Sequence, residues 1–324
     1  MRILVVFEYL HLVKNWFNLT RFRRVLPHDA IPSIVSGNST GNKANDKTET
    51  DNLIFETYIP TFPLNQFIES FVYYKGYNPD HSVDRFLPDG YTYIVFDLTD
   101  YPKFIYDNHT LKEIQSCRNV WFSGIREKYI TIPSGRDSEM LILNFQKGKA
   151  YPFVEMPMDE LTDFVVDAEL VLSNEILNMR EKLFECLTVQ QKFLYAEQYL
   201  TKTFSRKLVA NPFVDYSLNQ ILLNPHHLSI SNLSEKVGYS QKHLIKIFKE
   251  HVGVTPKAFL KIIRFQKAIK EIEANKTANW TSVAFEGGYY DQAHFINDFK
   301  VFSGFTPNQY LKMQSDFTNY IAVG

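Results

Sequence analysis

Lysine and amide side chains recur at matching positions in two segments near the end of the 324-residue chain. The first segment holds Lys242, Lys246 and Lys249, and the second holds Asn297 and Lys300. In a helix, these spacings place each set on one side. Ammonium groups can bind phosphate oxygens, and amides can pair with the edges of bases. These side chains could therefore bind nucleic acid, provided that the helices turn them away from the core.

The two segments are copies of one unit. Residues 232–256 read NLSEKVGYSQKHLIKIFKEHVGVTP, and residues 282–307 read SVAFEGGYYDQAHFINDFKVFSGFTP. The Gly-Tyr pair at Gly238 aligns with the pair at Gly288, and both copies end in Gly-x-Thr-Pro. One additional residue lies in the turn of the second copy. The repeat predicts that both segments fold in the same way.

Each copy is explained as two helices joined by a tight turn. In the first copy Ser231 is the predicted N-cap, Gly238 ends the helix in the left-handed conformation, and Ser240 caps the second helix. The buried stripe of that second helix is predicted to be Leu244, Ile247 and Phe248. In the second copy, Asp291 is the predicted cap, and Phe295 and Phe299 are the predicted buried anchors.

Two helices joined by a short glycine-containing turn form a helix-turn-helix, whose second helix enters the DNA major groove. A helical repeat without this function would show the same periodicity, but it would not need lysine and amide side chains on both outward faces. The charge agrees, because residues 216–315 carry a net charge of +5 and residues 1–215 carry −5. A basic region on a nearly neutral chain is typical of a part that meets polyanions.

Residues 216–315 resemble the C-terminal domain of AraC/XylS-type transcriptional regulators. The closest part is residues 288–310, which read Gly-Tyr-x-Asp-Gln-x-x-Phe-x-x-x-Phe-Lys-x-x-x-Gly-x-Thr-Pro-x-x-Tyr. The resemblance implies that outward residues of two recognition helices bind double-stranded DNA. The residues implied to contact bases are Lys242, Ile245, Lys246, Gln292, Ala293, Ile296 and Asn297. The residues implied to contact phosphate are Lys249, Arg264 and Lys300.

The chain departs from many members of that family at three of these positions. Ile245 and Ile296 stand where polar residues are frequent, and Asn297 stands where arginine is frequent. Isoleucine can contact a thymine methyl group, and asparagine can pair with adenine. These departures leave open which bases the protein prefers, but they do not affect the expectation that it binds DNA.

The region before the helices has a different pattern. Short segments rich in β-branched and aromatic residues alternate with turn formers and predict an antiparallel sandwich or small barrel. These segments are residues 91–98, 119–125, 128–132 and 140–145. Residues 60–74, the Leu-Pro-Asp-Gly of residues 87–90, and Gly124 resemble poorly characterised β-rich sensor domains. That resemblance implies a cupin-like barrel followed by dimerisation helices.

Apolar residues at helical spacing over residues 174–204 predict one broken helix or two. They are more numerous than one barrel face needs, so we expect a homodimer contact there. The predicted organisation is a poorly ordered appendage and linker (1–52), a β-rich sensor-like domain (53–165), a helical linker and dimerisation segment (166–212), a double helix-turn-helix domain (213–315) and a tail (316–324).

Composition excludes several classes of protein. A hydrophobic fraction of 45% and a charged fraction of 22% are ordinary for a globular protein and exclude a disordered or collagen-like chain. Two cysteines cannot build a disulfide scaffold. The sequence has no run of 18 apolar residues, so we expect no membrane partner and a cytoplasmic location.

Other candidate sites have weaker support. His81 and His109 do not lie in a cluster of the kind that binds a metal, so we predict no metal. The sequence has no GxGxxG, P-loop or nucleophile-elbow motif and no visible partner for a catalytic Asp89, so we predict no cofactor and no catalytic residue. Cys117 could be a reactive thiol, but a buried structural thiol fits its context better. The Asp89-Gly90 pair predicts a turn, and the two histidines at 226 and 227 predict a capping or surface role.

We therefore expect an α+β protein, with an N-terminal antiparallel β barrel or sandwich with helices and a C-terminal all-α domain of two helix-turn-helix units. The expected function is that of a sequence-specific transcription regulator and not of an enzyme. Two alternatives stay open, a β domain that binds a protein partner and a catalytic β domain anchored to DNA. A small-molecule effector, a second copy of the chain and RNA polymerase are open as further partners.

Overall fold

The computed structural model describes residues 53–154, 156–225, 228–275, 279–313 and 318–323. The strands are β1 Ile54–Tyr58, β2 Ile68–Lys75, β3 Val83–Phe86, β4 Tyr93–Asp97, β5 Lys103–Tyr106, β6 Glu113–Cys117, β7 Val120–Ser123, β8 Ile130–Pro133, β9 Glu139–Phe145, β10 Val165–Asp167 and β11 Tyr320–Ala322. The helices are α1 Glu169–Leu172, α2 Glu175–Glu185, α3 Val189–Phe204, α4 Pro212–Leu223, α5 Ile230–Val237, α6 Gln241–Val252, α7 Pro256–Asn275, α8 Trp280–Glu286, α9 Gln292–Ser303 and α10 Pro307–Lys312. The predicted appendage, residues 1–52, and the histidine pair at 226 and 227 lie outside the described residues.

The strands form two antiparallel sheets. One has the order β1-β2-β9-β4-β7-β10, and the other has the order β11-β3-β8-β5-β6. Because successive side chains of a strand point to opposite faces, β9 places Leu141 and Leu143 in a buried core and Met140 and Ile142 toward the second sheet. The expected fold class is confirmed, with an antiparallel β region followed by a helical region.

The first core lies between the six-stranded sheet and helices α2 and α3. Residues 174–204 form two helices, and a capping box between Thr188 and Gln191 begins the second. Most of their apolar stripe is buried against the sheet, where Phe193 and Leu200 join Phe71 and Phe122. The stripe thus belongs mainly to the β domain, although Phe184, Leu187 and Leu194 remain exposed.

In the C-terminal region one predicted helix start is wrong and one strand was not predicted. Helix α5 begins at Ile230 with Ser229 as its N-cap, so Ser231 is already inside the helix, where its carbonyl accepts a hydrogen bond from the Ser234 hydroxyl. The predicted tail, residues 316–324, contains a strand, because Tyr320–Ala322 pairs with β3. A strand of three residues has too short a pattern to be recognised without its partner.

None of the helices in the described part of the chain is both long enough and apolar enough to span a membrane.

Candidate nucleic-acid interface and effector cavity

The first helix-turn-helix unit consists of α5 and α6. Gly238 ends α5 at a φ of 72°, and the Ser240 hydroxyl accepts a hydrogen bond from the His243 amide. Both features follow the prediction, because a left-handed glycine and a serine N-cap are the usual signals for this turn. Leu244 and Phe248 are fully buried. The opposite side of α6 exposes Lys242, Ile245, Lys246 and Lys249.

The second unit consists of α8 and α9 and repeats the first. The Asp291 side chain accepts a hydrogen bond from the His294 amide, and Phe295 and Phe299 are fully buried. Gln292, Ala293, Asn297 and Lys300 are exposed. Ile296 is half-buried against the core, so its side chain is less available than the prediction requires.

Helix α7 joins the two units and carries their shared core. The fully buried Phe265 places its ring 5.2 Å from that of Phe299 and 4.9 Å from that of Phe302. On the same helix, Lys261 Nζ lies 3.0 Å from Asp298 Oδ1. Asp298 was not singled out in the sequence. Asp298 stands where the first unit has the apolar Ile247, and this difference between the two copies could have indicated a charged partner on another helix.

The three residues expected to contact phosphate have different environments. Lys300 is exposed on α9. Lys249 Nζ lies 3.0 Å from Asp159 Oδ2, which belongs to the β domain. Arg264 is half-buried and donates from Nε to the Pro225 carbonyl at 2.8 Å, and burial lowers its pKa. To bind a DNA phosphate, Lys249 must therefore break its ion pair with the Asp159 carboxylate.

The end of α6 packs directly on the β domain. The rings of His251 and Tyr151 have centroids 4.0 Å apart, and the Thr162 hydroxyl donates to the Gly253 carbonyl at 2.6 Å. Gly253 has a φ of 99°, and a Cβ there would lie 2.7 Å from Ile125 Cγ2. Only glycine fits both the conformation and the contact. The first unit is thus docked closely against the β region.

A cavity of about 600 Å³ lies between the two sheets and α7. Its walls are mostly apolar or aromatic, with Val95, Met140 and Ile142 among the sheet residues. Helix α7 contributes Ile263, Gln266, Lys267 and Lys270, and β11 contributes Tyr320. Because residues of both the β region and helix α7 line the cavity, an occupant would touch both.

The cavity also contains a buried polar cluster around Asp89. The Asp89 carboxylate accepts hydrogen bonds from the Tyr91 amide and the Tyr93 hydroxyl, and burial raises its pKa. Lys147 donates to the Asp89 carbonyl and lies 3.4 Å from the centroid of the Tyr91 ring. Burial lowers the pKa of Lys147 to about 8. The predicted turn is present, with Gly90 at a φ of 82°, but the role of Asp89 in this cluster was missed.

The remaining candidate residues are His81, His109 and Cys117. His81 Nε2 lies 2.9 Å from Asp84 Oδ1, and His109 is exposed. Cys117 is buried, and burial raises its pKa to about 12, which makes it a poor nucleophile. Among the residues described, no group of three or more His, Cys, Asp or Glu side chains could hold a metal ion.

Two family models match the chain. Residues 233–313 match a helix-turn-helix domain, and residues 56–167 match a domain of unknown function, DUF6597. A Haemophilus influenzae protein named an uncharacterized HTH-type transcriptional regulator is 30% identical over 186 residues, covering 55% of this chain and 57% of the relative. Staphylococcus aureus proteins of the same description are 32% identical over 146 residues, covering 44% of this chain and 20% of their own length. The chain thus spans about a fifth of those Staphylococcus relatives.

Similar solved structures include the C-terminal domain of AraT, a response regulator from Geobacillus stearothermophilus. It is 25% identical, covers 33% of this chain and 92% of its own, and has a TM-score of 0.31. ToxT from Vibrio cholerae is 11% identical, covers 81% of this chain and 99% of its own, and has a TM-score of 0.42.

The fold and the matched residues define a helix-turn-helix protein with a β-rich N-terminal domain. Residues 233–313 match a helix-turn-helix domain, the kind of domain that the sequence resemblance to AraC/XylS-type regulators implied.

Proposed function

We propose that this protein is a transcription regulator that reads double-stranded DNA with α6 and α9, and that it is not an enzyme. The supporting observation is the pair of capped helix-turn-helix units, whose second helices expose Lys242, Lys246 and Asn297 while their anchors are buried. The two helices would occupy successive major grooves, roughly 34 Å apart. Since its target is DNA, we propose that it acts in the cytoplasm.

The test is selection of bound DNA from a random double-stranded pool with the full chain. We expect an enriched sequence with two segments about one helical turn apart, one for each recognition helix. Lys246→Ala should relax the first segment and Asn297→Ala the second, whereas the exposed Val301 of α9 is a matched control. A bound pool with no enriched sequence would contradict sequence-specific binding.

A small-molecule effector is a second proposal, and the cavity supports it better than the two alternatives for the β domain. A concave, mostly apolar cavity between two sheets is typical of a ligand site, whereas a protein-binding module would show a flat apolar patch. Four lysines line the wall, Lys103, Lys147, Lys267 and Lys270, against three carboxylates, Glu69, Asp84 and Asp89, which leaves a formal excess of one positive charge. We therefore propose an effector that is largely apolar and carries one negatively charged group.

Titration of the full chain with 8-anilinonaphthalene-1-sulfonate, an aromatic sulfonate, tests this proposal. Fluorescence should increase and saturate at one probe per chain. Ile142→Trp, which places a bulkier ring in the cavity, should weaken binding of the probe, and Ile114→Trp, on the exposed β6, should not. A signal that Ile142→Trp leaves unchanged would place the probe elsewhere and contradict the proposal.

The remaining partners are a second copy of the chain and RNA polymerase, the latter proposed from the family resemblance. The exposed Phe184, Leu187 and Leu194 on α2, α3 and their connection support a homodimer contact. Leu187→Asp should then shift sedimentation equilibrium of the full chain toward the monomer, while Leu223→Asp on α4 should not. A wild-type chain that stays monomeric at high micromolar concentration would contradict the dimer.

A further inference from the structure

The last residues of the chain leave the DNA-binding domain and return to the β domain. Strand β11 pairs antiparallel with β3, so that Tyr320 lies opposite Phe86 and Ala322 lies opposite Asp84. Backbone hydrogen bonds extend this pairing at both ends, from Leu87 N to Asn319 O at 2.9 Å and from Val323 N to Val83 O at 3.0 Å. The C-terminal residues are thereby part of the sheet that walls the cavity.

The two faces of β11 lie in different parts of the molecule. Tyr320 lines the cavity, and its ring centroid is 4.9 Å from that of Phe86. Ile321 is fully buried in the core of the DNA-binding domain, together with Ile263 and Phe265 of α7. Because a strand alternates its side chains, one short segment touches the cavity and the helical core at once.

Polar contacts tie the same segment to α7. The Asn319 Oδ1 accepts a hydrogen bond from Gln266 Nε2 at 2.8 Å, and Gln266 Nε2 also donates to the Pro88 carbonyl at 2.7 Å. About two turns further along α7, Glu273 Oε2 accepts a hydrogen bond from the Thr318 hydroxyl at 2.9 Å. A change in the position of β11 would therefore alter these contacts with α7, the helix that joins both helix-turn-helix units.

We propose that residues 318–323 are a coupling strand that transmits the state of the cavity to α7, and through α7 to the relative placement of the two recognition helices. The link to ligand binding rests on the proposed effector function, but the mechanical coupling does not. An occupant that moves Tyr320 must also move Ile321, because both belong to one hydrogen-bonded strand. An inert tail would have no such effect on α7.

Hydrogen–deuterium exchange on the full chain tests the coupling without any ligand. Tyr320→Ala and Ile321→Ala should each raise exchange of α7 amides about tenfold, with α3 and β9 unchanged, since local opening affects one cooperative unit. Ile114→Ala is the matched control, because Ile114 is exposed on the opposite edge strand of the same sheet. Exchange that rises only in the tail and β3, or equally everywhere, would overturn the proposal.

DNA binding in the presence of the anilinonaphthalene probe separates the two proposals. In the wild type the probe should change the DNA dissociation constant severalfold. In Ile321→Ala the probe should still bind, but its effect on DNA should be lost. A full effect retained in Ile321→Ala would overturn the coupling, whereas a probe that fails to bind the wild type would overturn the effector proposal alone and leave the exchange rates to decide the coupling.

Discussion

At the scale of single residues, Asn297 is the sharpest test of DNA reading by the second unit. Its uncharged amide is exposed on α9, near the middle of the outward face. Asn297→Ala should cost about 1–3 kcal/mol of binding free energy on the preferred site and relax the preference at one or two base pairs. Non-specific affinity should fall little, because no charge is lost.

The measurement is a titration against the selected site and against single-base variants of it, with Val301→Ala as the control. If Asn297→Ala leaves both affinity and base preference intact, the second unit does not read bases, and only α6 would carry sequence information.

Lys249 is held by a carboxylate that DNA phosphates would have to replace. Asp159→Asn removes this competitor and a negative charge beside α6. Non-specific affinity at low salt should then rise a few-fold, since attraction to phosphate dominates such binding. Asp167→Asn, which neutralises an exposed aspartate of β10, is the matched control for net charge.

The salt dependence gives an independent reading of the phosphate contacts. Lys300→Ala and Lys249→Ala should each flatten the slope of log affinity against log salt by about one unit. An Asp159→Asn variant that binds no better than Asp167→Asn would show that the Lys249 pair does not oppose DNA binding.

At the scale of elements, substitutions at two glycines can separate the free-energy cost of backbone strain from the cost of a steric clash. Gly238 and Gly253 both have left-handed φ values, 72° and 99°, but nothing lies within 4 Å of a Cβ at Gly238. Gly238→Ala should therefore cost only the strain, about 1 kcal/mol of unfolding free energy. Gly253→Ala should cost about 1–3 kcal/mol more, because its Cβ would also clash with Ile125.

Urea unfolding of the full chain measures both variants. Equal costs for the two glycines would mean that α6 is not packed against the β domain in solution as it is in the structure.

At the scale of the whole molecule, Lys147 makes stability depend on pH. Its folded pKa of about 8 is below the ordinary lysine value of roughly 10.4. Between these values the unfolded chain binds more protons than the folded chain, so this lysine makes stability rise with pH. Lys147→Met should flatten that rise by up to about 1.4 kcal/mol per pH unit.

Urea unfolding at pH 7, 8, 9 and 10 provides the comparison, with the exposed Lys112 replaced by Met as the control. Parallel stability curves for wild type and Lys147→Met over pH 8–10 would contradict the prediction.

The helix-turn-helix units could be read from the sequence because their signals are local. Helix caps such as Ser240 and Asp291, the left-handed Gly238 and the anchoring Phe248 and Phe299 all act within a few residues of their position. A second copy of the same pattern removed most of the ambiguity. The N-cap of α5 was misplaced by two residues because Ser229 and Ser231 give the same signal in the sequence, and the Ser229 side chain makes no capping hydrogen bond that would single it out.

What the tertiary structure decided concerns groups far apart in the chain. The pairing of Lys249 with Asp159, the cluster of Asp89 with Lys147, and the insertion of Ile321 into the helical core each join segments that share no local pattern. Ile296 belongs here as well, since its half-burial depends on neighbours from other helices. Local periodicity and capping thus determined the two reading units, whereas long-range burial and charge pairing determined how those units are held against the cavity.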